Sequence, residues 1–336
     1  MTGVRESIRG ALHDLRIRSA LLQILLVALS AAILLWLVHN TMTNLAERGI
    51  RVGFGFLSNE ARFPISQSVL PYVPTDSFAW AFSVGLANTV FLSVFSIAAA
   101  TLIGFALALA RRSGNLLAKG LASVYVEAIR NTPLVVQLLF WYALLTISLP
   151  EPHRALQPLP GLFLTNRGLY LPSISFTGGW PPFHLLPAHL GRFNFQGGLA
   201  LTPEFAAISA GLTFYSAAYI GEIIRGGLDA IDLGQWQAAR ALGLSHRQTL
   251  RHVIVPQAMR VIIPPLTSQY VNIAKNSTLA LIVGYPDLAF VTATTINQSG
   301  QALEGITILM LVFLAISLSM STLMGWYERR RPSFYR

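Results

Sequence analysis

The stretch GLDAIDLGQWQAARALGLSHRQTLRHVIVPQAMRVIIPP, residues 227–265, decides how the rest of the chain is read. Its spacing predicts two short helices joined by a tight turn. Asp232 caps the first, Gly243 closes it just past the C-cap, and Ser245 with Gln248 three residues on makes an S-x-x-Q capping box for the second. Ala238 and Ala239 leave room on the first helix for another surface to approach closely. DNA-binding helix-turn-helix units share this pattern. Here apolar runs flank it on both sides, so no third helix or core remains to hold a recognition helix. A helix pair set between two membrane spans is suited to docking a partner at the bilayer surface.

Those flanking runs extend outward over most of the chain: Leu21 to Val38, Ser77 to Pro150 with one charged interruption, Phe205 to Gly221, Val261 to Pro286 with a single lysine, and Gly305 to Tyr327. Hydrophobic residues make up 53% of the chain and charged ones only 11%, with a mean hydropathy of +0.55. That balance belongs in lipid. About 20 apolar residues carry a helix across the hydrocarbon layer. The predicted fold is therefore an all-α integral membrane protein with six transmembrane helices, near 20–39, 82–110, 122–149, 203–224, 258–284 and 304–327. The first apolar run is too long for a signal-peptide core, and no A-x-A-like site follows Val38, so it reads as a retained helix.

The chain has no cysteine, which excludes disulfides, thiolate catalysis and cysteine-ligated metal. The histidines form no H-x-x-x-H pair, and His246 and His252 are six apart, so no metal site is expected.

The net charge of +10 reports orientation rather than nucleic-acid binding. With a cytoplasmic N-terminus, the inner segments hold Arg5, Arg9, Arg16 and Arg18; Arg111, Arg112, Lys119 and Arg130; Arg225, Arg240, Arg247, Arg251 and Arg260; and Arg329, Arg330, Arg331 and Arg336. The outer loops keep Arg48, Arg51, Arg62, Arg154, Arg167 and Arg192. Seventeen against six favours cytoplasmic N- and C-termini. The expected organisation is an N-terminal tail, first helix and outside loop over 1–75, then a transmembrane domain over 76–330. That domain carries an outside loop at 151–201 and cytoplasmic coupling helices at 232–256. The outside loop is the least helical part, being rich in proline and in Gly178-Gly179 and Gly197-Gly198. Trp180, Phe183 and Phe193 there either sit at headgroup level or pack the loop on itself. Thr202-Pro203-Glu204 then starts the next helix.

With these elements in hand, the chain resembles the membrane permeases of ABC importers. Their cytoplasmic loop reads E-A-A, three residues, G, nine residues, I-x-L-P. Gln237, Ala238, Ala239, Gly243, Val253, Val255 and Pro256 match it with the spacing intact, with glutamine at the glutamate position. YVEAIRNTPLVVQLLFWY (125–142), AYIGEIIRGGLDAI (218–231) and KNSTLALIVGYPDL (275–288) resemble elements of the polar amino acid permeases. The long outside loop and extra N-terminal helix are similar to the long-form general L-amino acid permeases.

No G-x-x-x-x-G-K-[ST] loop is present, and neither of the two lysines, Lys119 and Lys275, follows a glycine. The chain is therefore read as a non-enzyme subunit without a cofactor of its own. ATP-Mg would bind a partner. The resemblance implies a place in membrane lipid of the bacterial inner membrane, with a soluble ATPase dimer on the coupling helices, a second and different permease, a periplasmic amino-acid-binding protein and an amino acid substrate. An ion-coupled secondary transporter is the alternative, although no internal repeat supports it.

Intramembrane polar groups are the handle on the pathway. Lys275 lies about halfway along an apolar run, where an ammonium must be paired or hydrated. It either attracts a substrate carboxylate or fixes helix packing. Asn276, Asn88, Thr89, Gln137 and Tyr142 either line the pathway or hold helices together. Glu127 with Arg130, and Glu222 with Arg225, are i,i+3 pairs near the cytoplasmic ends, serving as interface ion pairs or an inner gate.

Overall fold

A computed structural model of the chain describes residues 15–47, 52–176, 183–192 and 194–329. Arg5, Arg9, Arg48, Arg51, Gly178, Gly179, Trp180, Phe193, Arg330, Arg331 and Arg336 lie outside the described residues, as do the side chains of Arg16, Phe183 and Arg329. The chain divides into two compact units, Met1–Phe54 and Gly55–Arg336. Among its described residues the first holds one α-helix, α1 (Leu15–Glu47), which neither glycine nor proline interrupts and whose leucines from Leu21 to Leu37 are exposed. Its Arg18–Asn44 section is long and apolar enough to cross a membrane.

The second unit is a helical bundle with one β insertion. α2 (Phe78–Arg112) starts at a Ser77 cap. α3 (Leu116–Arg130) and α4 (Leu134–Ala143) follow, the latter running on through a π turn at Leu144–Ser148. The predicted span 122–149 is not one straight helix: α3 meets α4 at 104°. The break falls at Asn131-Thr132-Pro133, where proline disfavours helical backbone at the residue before it.

The loop after α4 is built of strands. β1 (Leu156–Leu159), β2 (Leu162–Thr165), β3 (Gly168–Leu171) and β8 (Leu199–Leu201) form an antiparallel sheet in that order. β4 (Ser173–Phe176) pairs with β5 (Phe183–Leu186), and β6 (His189–Leu190) with β7 (Phe195–Gln196). Tyr170 and Phe163 both stack on Phe195, with ring centroids 4.9 and 4.5 Å apart. This insertion is a small folded module within an otherwise helical protein.

α5 (Pro203–Asp229) starts as its sequence predicts, with Thr202 Oγ1 accepting the Phe205 N–H at 3.2 Å. α6 (Leu233–Ala241) and α7 (His246–Thr249) come next, and a π turn at Leu250–Ile254 carries α7 straight into α8 (Val255–Asn276). The second coupling helix is thus the first turns of a membrane helix. α9 (Ala280–Val283) ends at Gly284, φ +82°, and α10 (Leu288–Ser299) leaves it at a 50° bend capped by Asp287. α11 (Ala302–Arg329) closes the chain. Among the described residues four helices are long and apolar enough to span a membrane, or up to six if each bent pair is one span.

α5 is the axis of the bundle. Phe205, Ile208 and Leu212 pack with Leu92, Leu134 and Leu138, while Ile220 and Ile224 pack with Ala100, Ala258 and Ile262. Small residues allow this approach, as they do in membrane helix pairs generally. A Cβ at Gly104 would lie 2.8 Å from Ile220 Cγ2, and one at Gly211 would strike Leu138. Ahead of α2, Phe56 and Phe63 pack in one cluster with Phe78, Phe82, Leu288 and Val291.

Candidate functional site

The loop between α5 and α8 folds as its caps dictate. Asp232 Oδ1 accepts the Gly234 N–H at 2.6 Å, and Gly243 takes φ +74°. Two hydrogen bonds wrap the turn: Gly243 N–H to Arg240 O at 2.9 Å and Leu244 N–H to Ala239 O at 3.1 Å. Together they make a Schellman motif, which only a residue tolerant of left-handed backbone can close. Ser245 and Gln248 complete the capping box, with the Ser245 N–H on Gln248 Oε1 at 2.9 Å.

The pair is held inward and left bare outward. Ala239 is buried, Trp236 stacks on His246, and Gln257 donates to Gln235 Oε1 at 3.1 Å, tying α6 to α8. Gln237, Ala238 and Gly243 are exposed. So are Leu233, at 75%, and Leu242, at 80%, two apolar side chains at opposite ends of α6. Val253 and Pro256 line a groove of about 490 Å³ with Ile231, His252 and Gln257, and Val255 is exposed beside it.

At the same end of the bundle Glu222 is a hub. It pairs with Arg111 of α2, with Arg130 of α3 at 3.8 Å and with Arg225 of its own helix at 3.1 Å. Asp229 extends the cluster through Arg112 and, at 2.8 Å, Arg225. The Glu222–Arg225 pair therefore exists within a larger network. Glu127 and Arg130 do not pair: Glu127 is exposed, while Arg130 turns to Glu222 and lies 5.2 Å over the Tyr219 ring. The bend after α3 brings Arg130 to α5, which a straight span would not.

The remaining polar residues separate by their hydrogen bonds. Asn88 is fully buried and satisfied: Nδ2 donates to Gln67 O and Pro286 O at 2.9 and 2.8 Å, and Oδ1 accepts the Val69 N–H at 3.0 Å. Thr89 Oγ1 accepts the Leu288 N–H at 3.0 Å, anchoring the start of α10. Gln137 donates to Ile129 O and Thr132 O, both at 3.0 Å, closing the end of α3 across the bend. Tyr142 packs half-buried against the Leu138 and Phe205 cluster. Asn276 ends α8 where it tightens into the turn Ser277–Leu279.

Lys275 behaves differently. It is exposed on α8 and forms no ion pair among the described residues. Ser268 and Asn272 are exposed on the same helix, at positions i−7 and i−3 from Lys275, with Val261 and Pro264 continuing the stripe. Sequence reasoning singled out the lysine and missed its two neighbours, although their helical spacing was readable. On a membrane helix a serine, an asparagine and an ammonium along one line are costly against hydrocarbon unless they are hydrated or paired.

Residues 100–332, which contain the coupling turn, the Glu222 hub and this stripe, match the family model for the binding-protein-dependent transport system inner membrane component. The chain belongs to that family. This transport component is similar to the putative amino-acid ABC transporter permease protein YhdX of Escherichia coli (strain K12), 41% identical over 98% of each chain. It is 36% identical to the general L-amino acid transport system permease protein AapQ of Rhizobium johnstonii, over 98% of this chain and 96% of that one. Among solved structures, an amino acid ABC transporter crystallised with histidines matches with a TM-score of 0.55 at 28% identity, over 75% of this chain and 95% of that chain. An inward-facing MetNI methionine ABC transporter matches with a TM-score of 0.52 at 16% identity, a likeness of fold alone. The inner membrane component is thus a transport subunit, and neither family nor relatives favour the ion-coupled alternative.

Proposed function

We propose that the chain forms half of the translocation pathway of an ATP-driven amino acid importer and couples it to a separate ATPase through α6 and α7. The observation that carries this reading is the coupling turn. It is rigidly capped, tied inward to α8 by Gln257, and presents Leu233, Gln237, Ala238 and Leu242 to an outside surface. Its match to the permease loop, with amino-acid permeases at up to 41% identity, supports the ATPase as the body that covers it.

The mechanism follows from connectivity. α6 hangs from the end of α5, and α7 runs without a break into α8, so a push on the turn reaches both helices. The Glu222 hub extends the push from α5 to α2 and α3. ATP-driven closure of the ATPases then favours one access state and hydrolysis the other, a population shift set by differential contact. The Ser268–Asn272–Lys275 stripe supplies the pathway wall, completed by a second and different permease, with a periplasmic binding protein delivering the amino acid. In this orientation the coupling turn and both termini are cytoplasmic.

The test is uptake of labelled amino acids by proteoliposomes holding the chain with its permease and ATPase partners, binding protein outside and ATP inside. Gly243→Asp puts a charged side chain into open space on the exposed turn and, at φ +74°, also strains the turn itself, so folding and insertion of the variant are checked alongside. Loss of ATP-dependent uptake by a folded, inserted variant is the expected result. Uptake driven by an ion gradient without ATP or partners would overturn the reading.

A further inference from the structure

Where α2 turns into α3 there is a cavity of about 360 Å³ walled by Arg111, Arg112, Lys119 and Arg225, with the hydroxyls of Ser113 and Ser123. Asp229 is the one acid on its wall. Glu222 and Asp229 are together shared among Arg111, Arg112, Arg130 and Arg225. Four guanidinium groups against two carboxylates leave positive charge in excess. Lys119 adds more, being exposed and without an ion pair among the described residues.

The cavity's depth and flank say what kind of anion fits. It lies at the shared end of α2 and α5, both of which are long enough to span the bilayer, so it sits at headgroup level. On α3, helical spacing puts Lys119, Ser123 and Arg130 on one line. One side of that line is buried, at Ala122 and Val126. The other side shows Leu116, Leu117, Leu121 and Val124 at 83, 77, 72 and 67% exposure. Cations between a protein wall and an apolar platform match a molecule with an anionic head and hydrocarbon tails.

We propose that this cavity binds the phosphate headgroup of an anionic phospholipid, with its acyl chains laid over the leucines of α3. A soluble phosphate shares the headgroup chemistry but has no use for the leucine face. The inference does not depend on what the chain transports.

The full-length chain, purified in detergent with its membrane partners, is offered equal amounts of phosphatidylglycerol and phosphatidylcholine, and bound lipid is counted by native mass spectrometry. The native chain should retain phosphatidylglycerol in excess. Lys119→Gln should cut that excess about fivefold, the effect of the ~1 kcal/mol one basic residue contributes near an anionic surface. Lys119→Glu should cut it further, and Lys119→Arg should restore it. Lys119 makes no structural pair, so equal melting temperatures are expected and are checked alongside. An excess unchanged in Lys119→Gln and Lys119→Glu, or equal retention of both lipids by the native chain, would overturn the proposal. So would a Lys119-dependent rise in melting temperature with inorganic phosphate alone that phosphatidylglycerol does not reproduce, since that marks a soluble-anion site.

Discussion

Replacing Lys275 by leucine separates two surroundings that predict opposite changes in stability. Lys275 is exposed on α8, and no acid pairs with it among the described residues. If that face met lipid, the lysine would cost about 2.5–3.5 kcal/mol near the helix centre and leucine would be favourable by a few tenths, so the substitution should stabilise the fold by roughly 3–4 kcal/mol. If the face borders a hydrated pathway, the ammonium is already solvated and stability should move by less than about 1 kcal/mol. Transport would then suffer. A charge-assisted contact to a substrate carboxylate is worth about 1.5–3 kcal/mol, or roughly 10- to 100-fold in uptake rate. Lys275→Arg, which keeps the charge, should retain much of the activity. The assay pairs thermal unfolding of the purified complex with ATP-dependent uptake in proteoliposomes. A leucine variant more stable by about 3 kcal/mol with unchanged uptake would refute the pathway assignment and place α8's stripe against lipid.

Two further predictions rest on hydrogen bonds and ion pairs already described. Glu222→Gln leaves Arg111, Arg130 and Arg225 without their shared carboxylate in a site where the glutamate is 20% exposed. It should cost about 2–3 kcal/mol in thermal or denaturant unfolding and weaken ATP-coupled uptake, since α5 loses its hold on α2 and α3. Asn88→Leu strands the Pro286 carbonyl in a buried place and the Val69 N–H and Gln67 carbonyl in partly buried ones. It should cost about 3–5 kcal/mol of stability, while uptake per folded transporter falls less than in Lys275→Leu.

The helices and their caps were legible because they are local. Asp232, Ser245 with Gln248, Gly243 and Thr202-Pro203 act within one turn of the residues they cap, and the structure finds each where the spacing put it. The bend at Asn131–Pro133 was less legible. Proline marks a break, but the 104° angle depends on Gln137 reaching back to Ile129 O and Thr132 O and on α4 packing against α5. The β insertion was hidden for another reason. Its strands are two to four residues long, too short for alternation to stand out among glycine and proline. Phe56 and Phe63 are placed by contacts with α2 and α10 that no local pattern encodes.

The polar residues inside the bundle show most clearly where sequence alone stops. Asn88, Thr89, Gln137 and Lys275 all stood in apolar runs, and each fitted either a pathway wall or a helix clasp. What divides them is whether the chain satisfies its own polar groups. Asn88, Thr89 and the amide nitrogen of Gln137 spend their bonds on backbone groups at loops and helix ends, so each holds a bend or junction in place, while Gln137 Oε1 is buried without a partner among the described residues. Asn272 and Lys275 instead lie exposed along one line of α8 with Ser268, whose hydroxyl reaches back to Pro264 O at 3.5 Å. A bilayer does not tolerate such a line unless water, substrate or another subunit completes it. The packing is thus closed around α5 and open along α8, and the Lys275→Leu experiment decides whether lipid or a hydrated pathway meets the open face.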